Sequence, residues 1–584
     1  MARITPTKSP ASHAERLWAI GRRAIIIKNL SIEAPRADLP YPSISALGRG
    51  LIPPQKIMLI KQPLSALSSL VLVSLSITSV ALHASDGARA PYNVLFIAID
   101  DMNDWVGAFG GAPQPKSATP RMDKFAERGS VVFQQANCAG PICGPSRSAL
   151  LSGFMPQRTG AYTNSQNMRG SSLVQTHLTL PEYFSRHGYR TLSTGKIFHK
   201  HPGDEGQWAY DQWAASEGGS GSRPDPEHVT SRNRNLIDGK PAPFAPLKSD
   251  GNEGGEGEGT EFAWGPSRGP KEESKDWKSA EWAAAQLAKP STKPFFLALG
   301  ISKPHLPWYV PQEYFDRHPL ETIKLPQFRL DDLGDVLDAK GEPKFKSSSD
   351  FRWVQQDANL FKGAVRAYLA ASSYADDCVG HVLDALEKSP ARDNTIVVIW
   401  GDHGWHLGEK LRFRKSTLWV ESTRLPLTIR VPGMSSRQDC SRLVNLIDLY
   451  PTLVELCGLP AKPEIDGRSI APLLRDPKTP WPYPSITVNG AGNASVRDER
   501  WYYIRYRDGV EELYDMAKDP MQWTNLAATK DPEIRTQLER LATSFPAVFA
   551  PDLPSNADKK GDGEEKVGTP DPTLKSARQA ANLK

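Results

Sequence analysis

Two stretches of this chain, NVLFIAID over Asn93–Asp100 and NTIVVIW over Asn394–Trp400, are apolar and largely β-branched, with no alternation of polar and apolar residues. A strand with one wet face must alternate, so such runs belong to strands covered on both faces, as in a parallel sheet between helical layers. FFLALGI (Phe295–Ile301) and LPLTIRV (Leu425–Val431) are of the same kind. Helical patterns lie between them. Thr119 reads as the N-cap of a helix with Pro120 at its first position and Gly129 as its stop. Ser279–Lys289 and Ala364–Lys388 are amphipathic, and LYPTLVELC lies between Asp448 as N-cap and Gly458 as terminator. Alternating strands and helices predict an α/β sandwich on a large, mainly parallel sheet flanked by helices. After about Pro477 the segments SITVNG, WYYIRYRDG and VEELYDM alternate, with Asp508-Gly509 as a hairpin turn. They predict a smaller C-terminal antiparallel sheet.

A length of 584 residues fits one large domain with a smaller companion. The expected division is a main domain over 92–476, a C-terminal subdomain over 477–550 and a polar, disordered tail over 551–584. The Gly/Glu-rich run at Asp250–Gly259 is expected to be a flexible insertion. In Met58–Ala84, Lys61 precedes an apolar run that ends in small residues, the layout of a secretory signal. A membrane anchor is the alternative, but Leu64–Leu82 is barely long enough to span and is rich in serine. Residues 1–57, upstream of this signal, are expected to reflect a misplaced start, with translation beginning at Met58. The mature protein is then expected to be periplasmic or secreted and, after cleavage, free of the membrane. A net charge of +5 without a dense Lys/Arg run predicts no nucleic-acid partner. Five cysteines, an odd number in a long chain, are no disulfide scaffold.

Asp100 and Asp101 end the first buried strand, and Asp402 and His403 follow another. In open α/β sheets ligands bind beyond the carboxyl ends of the strands, so these four residues can converge. Taken singly, each would pass for a strand-end cap. Three converging carboxylates repel unless a cation holds them, and hard oxygen donors suit Ca²⁺ or Mg²⁺. The run CAGPICGPSRSALLSG (Cys138–Gly153) sets Cys143 against a Pro-Ser-Arg turn. A disulfide to Cys138, a thiolate activated by Arg147, or a cysteine altered before it acts would each account for that thiol.

Cys143, Pro145 and Arg147 satisfy Cys-x-Pro-x-Arg, and Leu150-Leu151-Ser152-Gly153 continues the pattern. NVLFIAIDDMN, YRTLSTGKIFH, ISKPHLPW, GDHGWHLGEK and LYDMAKDPMQWTNLA occur in order between about Asn93 and Leu526. With these motifs the chain resembles the type I, formylglycine-dependent sulfatases of the alkaline phosphatase superfamily, above all the iduronate-2-sulfatase branch. The resemblance implies that a formylglycine-generating enzyme converts Cys143 to formylglycine (3-oxoalanine). As a hydrated aldehyde, that residue would attack sulfur with one hydroxyl and release sulfate by deprotonation of the other. The resemblance further implies one Ca²⁺ held by Asp100, Asp101, Asp402, His403 and residue 143. Many sulfatases have Asn in place of His403, whereas the iduronate-2-sulfatase branch has His. Arg147 would stabilise the formylglycine oxygens, and Lys196 and Lys415 would contact sulfate. His199 would orient or deprotonate the nucleophile, and His305 would protonate the leaving alcohol.

His201, His406 and Lys410 receive no role, and Cys138 is expected to be a small buried apolar residue. A sulfated carbohydrate is the implied substrate, with Trp264 in the loop 218–266 as a candidate sugar platform. Two rivals remain. A phosphoester hydrolase of the same superfamily would use Ser, Thr or unmodified Cys with transition metals. A non-catalytic sulfated-glycan-binding protein would keep the fold without turnover.

Overall fold

A computed structural model describes residues 91–199, 209–214, 225, 228–232, 236–237, 240–241 and 262–555. The segment Met58–Ala84, His201, the run Asp250–Gly259 and the tail beyond Ser555 lie outside the described residues. Those that are described belong to one compact unit, Ser85–Lys584.

Eight strands form the main sheet. In chain order they are β1 (Asn93–Ile99), β2 (Val131–Asn137), β3 (Arg190–Gly195), β4 (Gln212–Ala214), β5 (Phe295–Ile301), β6 (Thr395–Gly401), β7 (Leu427–Arg430) and β8 (Gln438–Asn445). Their spatial order is β8-β2-β7-β6-β1-β5-β3-β4. Every neighbouring pair is parallel except the two made by β7, which runs antiparallel to both β6 and β2. The unalternating runs have the predicted cause. Leu95, Ile97 and Ile99 of β1 enter one core, whereas Val94, Phe96 and Ala98 enter the other, so both faces are dry.

One face is covered by two helices, α3 (Lys275–Leu287) and α4 (Ala358–Glu387). The other carries α2 (Cys143–Ser152) and α5 (Leu449–Leu456), while α1 (Pro120–Glu127) packs on α4. Helices α3 and α4 start several residues before the predicted positions. Asp357 caps α4 by accepting from Leu360 N at 2.8 Å, ahead of the apolar stripe that signals the helix. Asp448 does not cap α5 with its side chain. Its carboxylate accepts from Asn445 N and Arg468 N, and Asn445 caps the single turn leading into α5. Gly458 ends that helix in the left-handed conformation, φ +66°.

The C-terminal sheet is antiparallel in the order Ser485–Val488, Ala494–Arg497, Trp501–Arg505, Glu511–Asp515. Gly509, φ +88°, makes the turn between the last two. The helix Pro532–Ala542 shares a core with this sheet through Leu538, Leu541, Tyr503 and Leu513. Pro551–Ser555, at the head of the polar tail, pack back on the chain: Leu553 N donates to Gly160 O. Trp264 is no sugar platform. It is buried among Phe262, Trp308 and Trp353 in the main core. Among the described residues, no helix is long and apolar enough to cross a membrane.

Candidate active site

The site lies where β1, β3, β5 and β6 end. Successive strand residues point to opposite faces, so Asp100 and Asp101 could not both face one point on a regular strand. Asp101 breaks the strand with φ +59°, a left-handed conformation costing a non-glycine residue about 1–2 kcal/mol. Tyr368 of α4 holds that turn, donating to Asp101 O and accepting from Asn103 N, both at 2.8 Å. Asp402 closes it from β6, its Oδ1 accepting from Asp101 N at 3.0 Å. Tyr368 lies in no motif, and Asn103, the last residue of NVLFIAIDDMN, was given no role; both roles follow from contacts across more than 260 positions of sequence.

Cys143 is the first residue of α2, where unpaired N–H groups and the helix dipole favour negative charge. One turn on, Arg147 falls on the same helical face. Its Nε donates to Asp402 Oδ2 at 2.8 Å, its Nη2 to Asp100 Oδ1 at 3.0 Å, and its Nη1 to the carbonyls of Lys196 and Ile197. Arg147 therefore fixes the two carboxylates to α2 and to the Lys196 loop. Lys196 Nζ lies 2.6 Å from Asp100 Oδ2. Lys415 Nζ lies 2.6 Å from Asp101 Oδ1 and 3.2 Å from Cys143 Sγ, so it is the cation that reaches residue 143 directly. Burial alone would raise the Asp100 carboxyl, but Lys196 and then Arg147 hold it well below the usual range. Burial, followed by Asp100, pushes the Cys143 thiol up.

His403 Nδ1 donates to Gly404 O at 2.8 Å, because a carbonyl can only accept. This leaves Nε2 as an acceptor in the neutral ring. It lies 3.3 Å from Cys143 Sγ and Asp101 Oδ1 and 3.5 Å from Asp402 Oδ1. Acceptors facing carboxylate oxygens call for a cation between them. Two groups of ligand atoms, from Asp100, Asp101, Cys143 and His305 and from Cys143, Asp402 and His403, each lie within 4.8 Å of one another. The donor set is mostly hard oxygen, so it fits one Ca²⁺ or Mg²⁺ with a single imidazole. Three carboxylates and the cations Arg147, Lys196 and Lys415 balance, so a divalent ion there would leave the site positive for an anionic substrate.

His305 Nε2 stands 3.9 Å from Asp101 Oδ2, while its Nδ1 donates to Leu306 O at 2.6 Å. His199 is pushed down to about 2 by burial and by Lys196, so it is neutral, and its buried Nδ1 has no hydrogen-bond partner among the described residues. His406 is buried, bonded to Thr417 Oγ1 at 2.7 Å and pushed down to about 3 by burial and Arg412. Lys410 reaches Asp332 Oδ1 at 2.8 Å and the carbonyl of Gln522. Both support the loop behind Lys415. Cys138 is fully buried, and all five cysteines are free thiols.

A carboxylate cluster at the carboxyl edge of a mainly parallel sheet, facing a residue at a helix N-terminus, sits here in an alkaline-phosphatase-like fold. The sulfatase family profile matches residues 92–459, and the profile for the C-terminal part of N-sulphoglucosamine sulphohydrolase matches residues 401–545. The chain belongs to the sulfatase family, and its sulfatase homologues support sulfuric ester hydrolase activity. A sulfatase of Formosa agariphila is 34% identical over 466 residues, covering 78% of this chain and 87% of the relative. Iduronate 2-sulfatase of Mus musculus is 30% identical over 440 residues, covering 68% and 74%. Among solved structures, a 2-O GAG sulfatase superposes with a TM-score of 0.56 at 23% identity, covering 78% of this chain and 91% of its own. A phosphonate monoester hydrolase from Silicibacter pomeroyi gives 0.61 at 20% identity, covering 78% and 94%. These two share the fold.

Proposed function

We propose that this protein hydrolyses sulfate monoesters on sulfated sugars, in the manner of iduronate 2-sulfatase, with residue 143 as formylglycine and one Ca²⁺. The observation that carries the proposal is the placement of Cys143, in the full modification signal, at the one point where His403, Lys415 and the carboxylate cluster meet. That signal favours sulfate over phosphate esters. Cys143 is fully buried, so its conversion by a formylglycine-generating enzyme precedes closure of the fold. Export through Met58–Ala84 belongs to the same proposal.

Asp100, Asp101, Asp402, His403 and residue 143 would hold the cation. Bound there, the ion supplies positive charge opposite the sulfate oxygens, and formylglycine supplies a carbon whose oxygen can attack sulfur and later let the sulfate go. The protein's own groups do the rest. Lys196, paired with Asp100, and Lys415, paired with Asp101, offer ammonium groups to sulfate. Arg147, fixed by four contacts, keeps Asp100 and Asp402 in register as the substrate's charge enters. Neutral His199 would orient the nucleophile. His305 presents Nε2 to the site because Nδ1–H is committed to Leu306 O, so it is the imidazolium, protonated at both nitrogens, that would pass its Nε2 proton to the departing alcohol and be left neutral.

The test compares esters that differ in leaving group. His305→Ala should slow release of sulfate from a sulfated sugar by about 10²–10⁴-fold while costing little on nitrophenyl sulfate, whose phenolate leaves unaided. Equal losses on both esters would make His305 a binding residue. Faster cleavage of phosphate than of sulfate monoesters by the unaltered enzyme would refute the proposal itself.

A further inference from the structure

The loop carrying His305 runs from Ser302 to Pro307 beyond the end of β5, and Pro304 and Pro307 deprive it of two backbone donors. Two backbone bonds remain, His305 N to Ser302 O at 2.9 Å and Tyr309 N to Pro307 O at 3.0 Å, and side chains supply the rest of its support. At its entry Asp276, buried in the first turn of α3, accepts from Ser302 N at 3.0 Å and Lys303 N at 2.9 Å. Beyond that point four consecutive carbonyls each receive a side-chain donor. Trp308 Nε1 donates to Pro304 O at 2.6 Å, and His305 Nδ1 donates to Leu306 O. The two others, His305 O at 3.1 Å and Pro307 O at 2.5 Å, are both taken by the ammonium of Lys303.

We infer that Lys303 is a positioning residue for His305, fixing the loop so that Nε2 faces the reacting centre. Lysine ammonium groups are ordinarily solvated at the surface or paired with carboxylates. Here a half-buried one bridges two neutral carbonyls on either side of Leu306, the residue whose own carbonyl sets the His305 ring. Withdrawing the ammonium leaves the His305 and Pro307 peptides without that clamp and lets the ring turn. Asp276 would still pin the loop's entry, so the fold around it persists.

The inference rests on the acid role of His305, and the experiment separates the two. Lys303→Met keeps the length of the side chain and removes the donors. It should lower sulfate release from a sulfated sugar by about 10–10²-fold through kcat, the scale of a misplacement of about 1 Å, and affect nitrophenyl sulfate far less. Added to His305→Ala, it should bring no further loss, because a misaimed acid that is already absent costs nothing. Lys303→Arg, which keeps a charged donor of different shape, should recover part of the activity and serves if Lys303→Met does not fold. A loss of equal size on both esters, or one that persists in full beside His305→Ala, would make Lys303 a purely structural residue and overturn the inference. If His305→Ala itself shows no preference for the sugar ester, the acid role fails and takes the positioning role with it. If His305→Ala shows the preference and neither Lys303 variant does, the positioning role alone is wrong.

Discussion

Replacing Cys143 by serine should leave a protein that reacts with one equivalent of sulfate ester and stops. Every group around position 143 would remain: Lys415 at 3.2 Å, His403 Nε2 at 3.3 Å and the carboxylates behind them were drawn to the sulfur position and would meet the serine oxygen instead. Serine at a helix N-terminus, in reach of a cation, is a competent nucleophile. Once sulfated, however, it has no second oxygen on the same carbon with which to expel sulfate. A single equivalent of alcohol released per chain, with label retained on the peptide bearing residue 143, is the expected readout. Cys143→Ala should release none. Sustained turnover by the serine variant would show that water attacks without help from this residue.

Asp402→Ala should be almost as damaging, for two reasons that measurement can separate. Its carboxylate accepts from Asp101 N and from Arg147 Nε, so it holds both the left-handed turn and the guanidinium. Losing one partner of a buried ion pair typically costs about 3–5 kcal/mol, and the melting temperature should fall accordingly. It also removes one of three carboxylates from the cation. Asp402→Asn keeps the shape and an acceptor but not the charge. We expect it to recover much of the melting temperature while binding metal poorly, with kcat down by at least about 10²–10³-fold. Metal analysis of the unaltered protein should return one calcium per chain. Stoichiometric zinc, with activity indifferent to Asp402→Asn, would favour a phosphoester hydrolase.

The parts legible in the sequence are those set by short-range patterns. The unalternating runs gave β1, β5 and β6 because burial on both faces leaves no position for a polar residue, and their ends gave Asp100, Asp101 and Asp402. The arrangement at those ends was not legible. Nothing in Asp-Asp-Met-Asn signals that Asp101 adopts φ +59°, since Tyr368, which secures the turn, lies on a helix far along the chain. Trp264 illustrates the opposite error. An aromatic in an irregular segment looks like a binding platform, but here it packs into a cluster whose members, Trp308 and Trp353, come from other segments. Arg147, expected to serve residue 143, also joins Asp100 to Asp402, a role that needs both strand ends in place, and Lys415 reaches the sulfur directly. Lys303 stands inside ISKPHLPW, but nothing in that motif shows what it holds, because its partners are carbonyls, which every residue has.

The central claim is that Cys143 acts only after it has become formylglycine. The mass of the peptide bearing residue 143, taken from protein made with and without a formylglycine-generating enzyme, tests it most directly. Conversion exchanges a thiol for an aldehyde and should lighten that peptide by the difference, and kcat across preparations should rise in proportion to the converted fraction. Full activity in a preparation whose residue 143 is entirely unmodified cysteine would contradict the account and leave a thiolate or metal-activated water in its place.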